Sequence, residues 1–169
     1  NDWTDCQRQH ADPIERLAAL RARFFAGPSS LGARPVALER QSELMPSHAA
    51  FRENQRWWHQ GVLFTTLHTV GPKDNTDEPS AALRQEQAAR LAANIAWVRA
   101  SFDLARQRGA RALVFATQAD VLSDPKWPWS LPRVRSPFRD LVQRNLLKLA
   151  GESRLPVLFV HGDSHQFIA

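Results

Sequence analysis

Leu155-Pro156-Val157-Leu158-Phe159-Val160-His161-Gly162-Asp163-Ser164-His165 is the stretch on which the fold turns. Its first half is a short apolar run bounded by proline and glycine, the pattern of a strand covered on both faces. Its second half sets an aspartate and a histidine two residues apart just beyond that strand. Open α/β sheets bind ligands at the carboxyl ends of their strands, and residues two apart in extended chain point to the same side. Asp163 and His165 are therefore expected to form a pair of metal ligands. A turn with a solvated aspartate and an edge histidine would be spelled the same way, so the rest of the chain has to decide.

Working outward, Ala112-Leu113-Val114-Phe115-Ala116-Thr117 is a second buried strand, with Gln118-Ala119-Asp120 at its carboxyl end. Between the two strands, residues 137–150 have helical spacing at Phe138, Leu141, Val142, Leu146 and Leu149. Residues 122–136 form a loop long enough to cover something, with Trp127 and Trp129 expected to pack it down. Residues 80–109 repeat at 3.6, through Leu83, Leu91, Ile95, Val98, Phe102 and Ala105. Before that helix, residues 52–58 and 61–68 read as two strands joined through His59-Gln60-Gly61, the second of them central. Asp12-Pro13-Ile14-Glu15 opens a further helix with an N-cap, a proline at the first position and a glutamate at the third. Residues 28–50 read as loop, with a short strand near Val36-Ala37-Leu38. The order strand, helix, strand, helix, strand is a layered α/β plan, a central mostly buried sheet flanked by helices.

At 169 residues the chain fits one domain. It has no apolar run of the ~18 residues that a membrane span requires. The single cysteine, Cys6, excludes an internal disulfide framework and a cysteine-rich zinc site, and is expected to be a small buried filler. The net charge of +5 comes from arginines interleaved with acids along helices, the pattern of solvated faces. A nucleic-acid footprint is a clustered stripe with aromatic platforms, so no nucleic-acid partner is expected; a modest preference for anionic substrates is. There is no Gly-x-Ser-x-Gly elbow, Walker loop or dinucleotide fingerprint. Ser164 cannot form a nucleophile and base pair with His165, because adjacent residues point in different directions.

In the layered plan three strand ends finish with polar groups: His68, then Gln118 with Asp120, then Asp163 with His165. Convergence of this kind is how an active site is assembled on rigid elements.

With these residues in place, the chain resembles the carboxyl-terminal half of a calcineurin-like metallophosphoesterase, in a divergent bacterial branch. Four stretches carry the likeness: Asn1-Asp2-Trp3-Thr4-Asp5-Cys6, the strand from Val62 to His68 with Gly71 and Asn75 after it, the block from Trp97 through Gln118-Ala119-Asp120, and Val160-His161-Gly162-Asp163-Ser164-His165. In that family the motifs run Asp-x-His, Gly-Asp-x-x-Asp, Gly-Asn-His followed by an acid, a later strand-end histidine, and Gly-His-x-His. The first two would lie upstream of residue 1. Asn1-Asp2 is similar to the third motif, with Asn1 in either its Asn or its His column. Gln118 stands in the place of the strand-end histidine, and Gly162-Asp163-Ser164-His165 matches the last motif with aspartate for its first histidine.

The resemblance implies a partial layered sandwich of the metallophosphoesterase type, with residues 1–169 as the carboxyl-terminal portion of a single domain. It implies phosphoester hydrolysis by in-line attack assisted by two divalent ions, on a phosphorylated small molecule or ester. Asn1 and Asp2 would hold catalytic positions, Asn1 as a metal or phosphate contact. Asp163, His165 and Gln118 would be metal ligands, Gln118 a weak ligand or a donor behind the others. His68, Asn75 and His161 would be substrate or supporting groups, though a structural role is the stronger expectation for each. Oxygen ligands in place of imidazoles favour Mn, Mg or Ca over Zn or Fe. The alternative is a degenerate phosphoesterase-like module that binds a partner or ligand, which the Gln118 and Asp163 replacements favour. A third reading, an unrelated α/β binding domain, expects Gln118 far from Asp163. A portion without the upstream motifs is expected to be inactive alone, to expose sheet edge and core, and to be poorly soluble.

Overall fold

The computed structural model describes residues 3–71, 73–76, 80–123 and 133–163. The chain begins with α1 (Trp3–Arg8) and α2 (Pro13–Phe24). As the sequence predicts, Asp12 is extended and its Oδ1 accepts the Ile14 amide at 2.9 Å, while Pro13 occupies a position whose amide would have no partner. The apolar face of α2 is only half closed: Leu17 is buried, but Leu20 and Phe24 are 38% and 48% exposed. Residues 28–50, expected as loop, contain β1 (Glu39–Arg40), α3 (Gln41–Leu44) and a 3-10 turn at Pro46–His48. The strand expected at residues 36–38 is reduced to one bridge between Ser29 and Ala37.

β2 (Gln55–His59) and β3 (Val62–Leu67) make a hairpin in which His59 pairs with Val62. Gln60 and Gly61, the two turn residues, have φ of 48° and 77°, the mirror-image turn whose twist suits a two-residue hairpin. The chain continues through α4 (Ala81–Gln107), β4 (Ala112–Thr117), β5 (Leu122–Ser123) and β6 (Arg133–Val134). Instead of one regular helix over residues 137–150, there follow a 3-10 turn, a π-helical stretch at Arg139–Leu147 and α5 (Lys148–Ser153). In the wide turns Asn145 donates to the Asp140 carbonyl at 2.6 Å and accepts both Nε and Nη2 of Arg99, which ties this stretch to α4. β7 (Val157–Val160) completes an α/β protein with a five-strand mixed sheet in the order β1-β2-β3-β4-β7. The β3-β4 and β4-β7 pairs are parallel and the other two antiparallel. No helix among the described residues is long and apolar enough to cross a membrane.

Leu63 and Leu67 of β3 with Leu113 and Phe115 of β4 are buried against Trp97, Val98 and Phe102 of α4 and Phe138, Leu141 and Leu146 beyond it. By the two-residue alternation of a strand, Val62, Phe64, Val114, Leu158 and Val160 fall on the opposite face. There Leu158 and Val160 are 57% and 47% exposed. Among the described residues β7 is thus an edge strand with one open face, not the doubly covered strand expected from its composition. A continuous apolar run marks burial only when a second layer lies over it.

α4 also departs from expectation. Its buried face contains Arg90, Asn94 and Ser101 beside Leu83, Trp97, Val98, Phe102 and Ala105, whereas Leu91 and Ile95 are half-buried. Each polar residue in the amino-terminal half of that face has partners. Arg90, fully buried and so no solvated arginine, donates from Nε to Glu86 at 2.9 Å, pairs with the Asp74 carboxylate and donates from Nη2 to the Asp74 carbonyl. Asp74, at φ 55°, accepts the Val70 amide at 3.0 Å and returns its own amide to the Val70 carbonyl at 2.7 Å. Four residues on, Asn94 donates to the His68 carbonyl at 2.6 Å and accepts from Asn54 at 2.9 Å. Asn54 also donates to Gln41 and accepts the His68 amide at 3.0 Å. α4 therefore holds the carboxyl end of β3 at two points.

Arg90→Met leaves the Asp74 carboxylate buried without its cation, which should cost about 3–5 kcal/mol in a denaturant titration. Arg106→Met, at a pair whose side chains are 74% and 68% exposed, should cost no more than about 1 kcal/mol. Equal effects would show that the buried pair holds nothing in place.

Candidate active site

β3 and β4 run parallel with Leu67 opposite Thr117, so His68 and Gln118 leave the sheet at the same edge. β7 ends beside them, where the Gly162 amide donates to the Gln118 carbonyl at 3.1 Å. A crevice of about 960 Å³ opens at these strand ends, with Asp163, Gln118, His68 and Gly71 among its polar walls and Leu20 and Phe25 among its apolar ones. The convergence expected from the sequence is present in part: three predicted residues from three strand ends line one cavity.

Asp163, at φ 73°, is seated by two groups. Gln118 Nε2 donates to its Oδ1 at 3.3 Å, while Gln118 Oε1 accepts the Gly71 amide at 3.2 Å. A Cβ on residue 71 would stand 2.8 Å from Asp163 Cγ, so only glycine admits the carboxylate there. Gln118 was expected as a weak metal ligand or as a donor behind the ligands; its oxygen accepts a backbone amide, and the side chain bridges the turn after β3 to Asp163.

His68 is held more firmly than a surface histidine. Its backbone is fixed by Asn54 and Asn94, and its Nδ1 lies 2.7 Å from Glu53 Oε1. Glu53 in turn receives Arg21 Nε at 2.9 Å and pairs with the same guanidinium through its second oxygen. Burial alone would push the Glu53 carboxyl up, but the hydrogen bonds and charges of His68 and Arg21 outweigh it and hold the pKa down to about 2, against an ordinary 4.5. A carboxylate on one ring nitrogen sets the orientation of an imidazole. Glu53 and Arg21 were missed in the sequence, although the hairpin offers a signal for the first. Continuing the pairing of His59 with Val62 and Arg56 with Thr65 places residue 53 opposite residue 68.

The other expected residues are dispersed. Asn75 is buried at φ 57° in the turn that Arg90 clamps, away from the crevice wall. His161 lies 3.6 Å from Asp120, which also accepts the Leu122 amide and pairs with Arg135, in a separate cluster. Cys6, expected as a buried filler, is half-buried and lines the crevice. Asn1, Asp2, His165, Trp127 and Trp129 lie outside the described residues. Among the described residues no three His, Cys, Asp or Glu side chains are grouped to hold a metal ion. Of the expected ligands, those residues supply a single carboxylate, Asp163, and by themselves do not fit a two-ion centre.

No family model, curated protein or solved structure matches the chain.

Because the folded-state pKa of Glu53 lies below the ordinary value, its ion pairs stabilise the fold above pH 4.5, and that contribution is lost as the pH falls toward about 2. Glu53→Gln should therefore be less stable at neutral pH by roughly 2–3 kcal/mol, with the gap to the unsubstituted protein closing between pH 4.5 and 2 in urea titrations. A gap that stays constant over that window would remove Glu53 as its source. Gly71→Ala should leave the fold intact while shifting the amide resonances of Gln118 and Asp163. Unchanged resonances at those residues would contradict the seating of Asp163 by Gly71.

Proposed function

We propose that the crevice is the site of a phosphoester hydrolase acting on a phosphorylated small molecule or ester. The observation that carries this reading is the meeting of Asp163, seated by Gly71 and Gln118, with the carboxylate-backed His68 at the ends of parallel strands. The 3.3 Å contact between Gln118 and Asp163 also counts against an unrelated binding domain, which expects the two apart. The likeness of the motifs to a metallophosphoesterase adds the reaction class. With it come divalent ions, Mn, Mg or Ca ahead of Zn or Fe, with Asp163 and His165 as ligands and Asn1 and Asp2 in catalytic positions. Such ions, if held there, would supply positive charge to the phosphoryl oxygens. The chain's described residues do the rest: Gly71 and Gln118 aim the Asp163 carboxylate, Glu53 holds the His68 ring at the wall, and Leu20 and Phe25 keep part of the cavity free of polar groups. A binding module without turnover is the second reading, favoured by the engagement of the Gln118 oxygen with Gly71.

The test is hydrolysis of a chromogenic phosphate monoester and diester by the full-length protein with Mn, Mg or Ca, then with chelator. Turnover should be chelator-sensitive and should fall by more than about a hundredfold in Asp163→Ala. Folded protein that binds the esters saturably yet turns over none with any ion would be the binding module.

A further inference from the structure

A second cavity of about 410 Å³ lies directly beside the crevice, with Phe25, Gln55 and Thr66 lining both. It runs between the end of α2, the segment after it and the open face of β2 and β3. Phe24, Leu31 and Val36 on its sides are 48%, 69% and 45% exposed. Its floor includes Trp57, stacked on Phe64 at 5.3 Å. The hydroxyls of Thr66 and Ser30 along it are engaged within the protein. Thr66 Oγ1 donates to the Glu53 carbonyl and accepts the Gln55 amide, and Ser30 Oγ accepts the Val36 amide. The groove thus presents mainly carbon, whereas its neighbour presents Asp163, Gln118 and His68. A site with a polar head and a long apolar extension matches an amphipathic ligand, since apolar pockets with few convergent polar groups set both affinity and orientation.

We propose that the groove receives an alkyl or acyl chain, so that the substrate is a phosphoester bearing a long apolar group. This rests on the phosphoester reading of the crevice, with the chain lying over Trp57 and between Phe24 and Leu31 while the phosphoryl group meets the strand ends.

The experiment compares 4-nitrophenyl ethyl, butyl and octyl phosphate, each below its aggregation limit, with the full-length protein. kcat/KM should rise about three- to fourfold per methylene buried, and Phe24→Asp combined with Leu31→Asp should lower the octyl ester far more than the ethyl one, flattening the series. Equal kcat/KM for the three esters would overturn the groove assignment while leaving the hydrolase reading standing. If no ester turns over, the hydrolase reading falls, and the groove is read by binding alone. Octyl phosphate, and not ethyl phosphate, should then change the tryptophan emission, and the change should vanish in Trp57→Phe. No change, or the same change in Trp57→Phe, overturns the proposal. Concentration-dependent self-association abolished by the two aspartates would also overturn it, by giving the face to a second copy of the chain.

Discussion

The polar face of α4 is the constraint on which the rest of the structure depends. A buried guanidinium or amide is costly unless each of its hydrogen-bonding groups finds a partner, and Arg90 and Asn94 complete theirs where α4 meets the end of β3. Arg90 fixes the turn at residues 70–74 through Asp74, and Asn94 fixes the backbone of His68. An apolar helix face could slide or rotate by a few degrees at little cost, whereas this one has a single arrangement that satisfies it. From that arrangement follow the position of Gly71, hence the seat of Asp163, and the position of His68, hence the engagement of Glu53 and Arg21.

Where chemistry is local the sequence is legible. Asp12 and Pro13 start α2, Gln60-Gly61 closes the hairpin, and the apolar runs read as a central and a buried strand are β3 and β4 of the sheet. Reading fails where partners are distant in the chain. Nothing at residue 90 says that its cation is met by residue 74 in the core, and arginines interleaved with acids look alike whether solvated or buried. The breadth of the π-helical turns likewise depends on Arg99, 46 residues away from Asn145. For β7, the apolar run specifies a strand but cannot specify a second layer over it.

The candidate site divides in the same way. That His68, Gln118 and Asp163 share one crevice follows from their places at strand ends, which the pattern of elements already implied. Their contacts do not follow: from its column in a motif Gln118 reads as a weak ligand or a donor behind one, and only the fold shows that it joins the Gly71 amide to Asp163. Glu53 was accessible to register arithmetic, since a two-residue turn determines every later pairing in its hairpin. Arg21 had no such signal. Arg21, Arg56 and Arg90, which read as solvated charges in the sequence, are engaged by carboxylates of the fold and do not form an external basic surface.

The proposed hydrolase site puts a phosphoryl group at the ends of β3, β4 and β7. Orthovanadate, which adopts the five-coordinate geometry of phosphoryl transfer, can be titrated into the isotopically labelled full-length protein with magnesium while backbone amide resonances are followed. The amides of Gly71, Gln118 and Asp163 should shift together with one saturating dependence. Saturation with those three unmoved, or with shifts gathered around His161 and Asp120, would contradict the account.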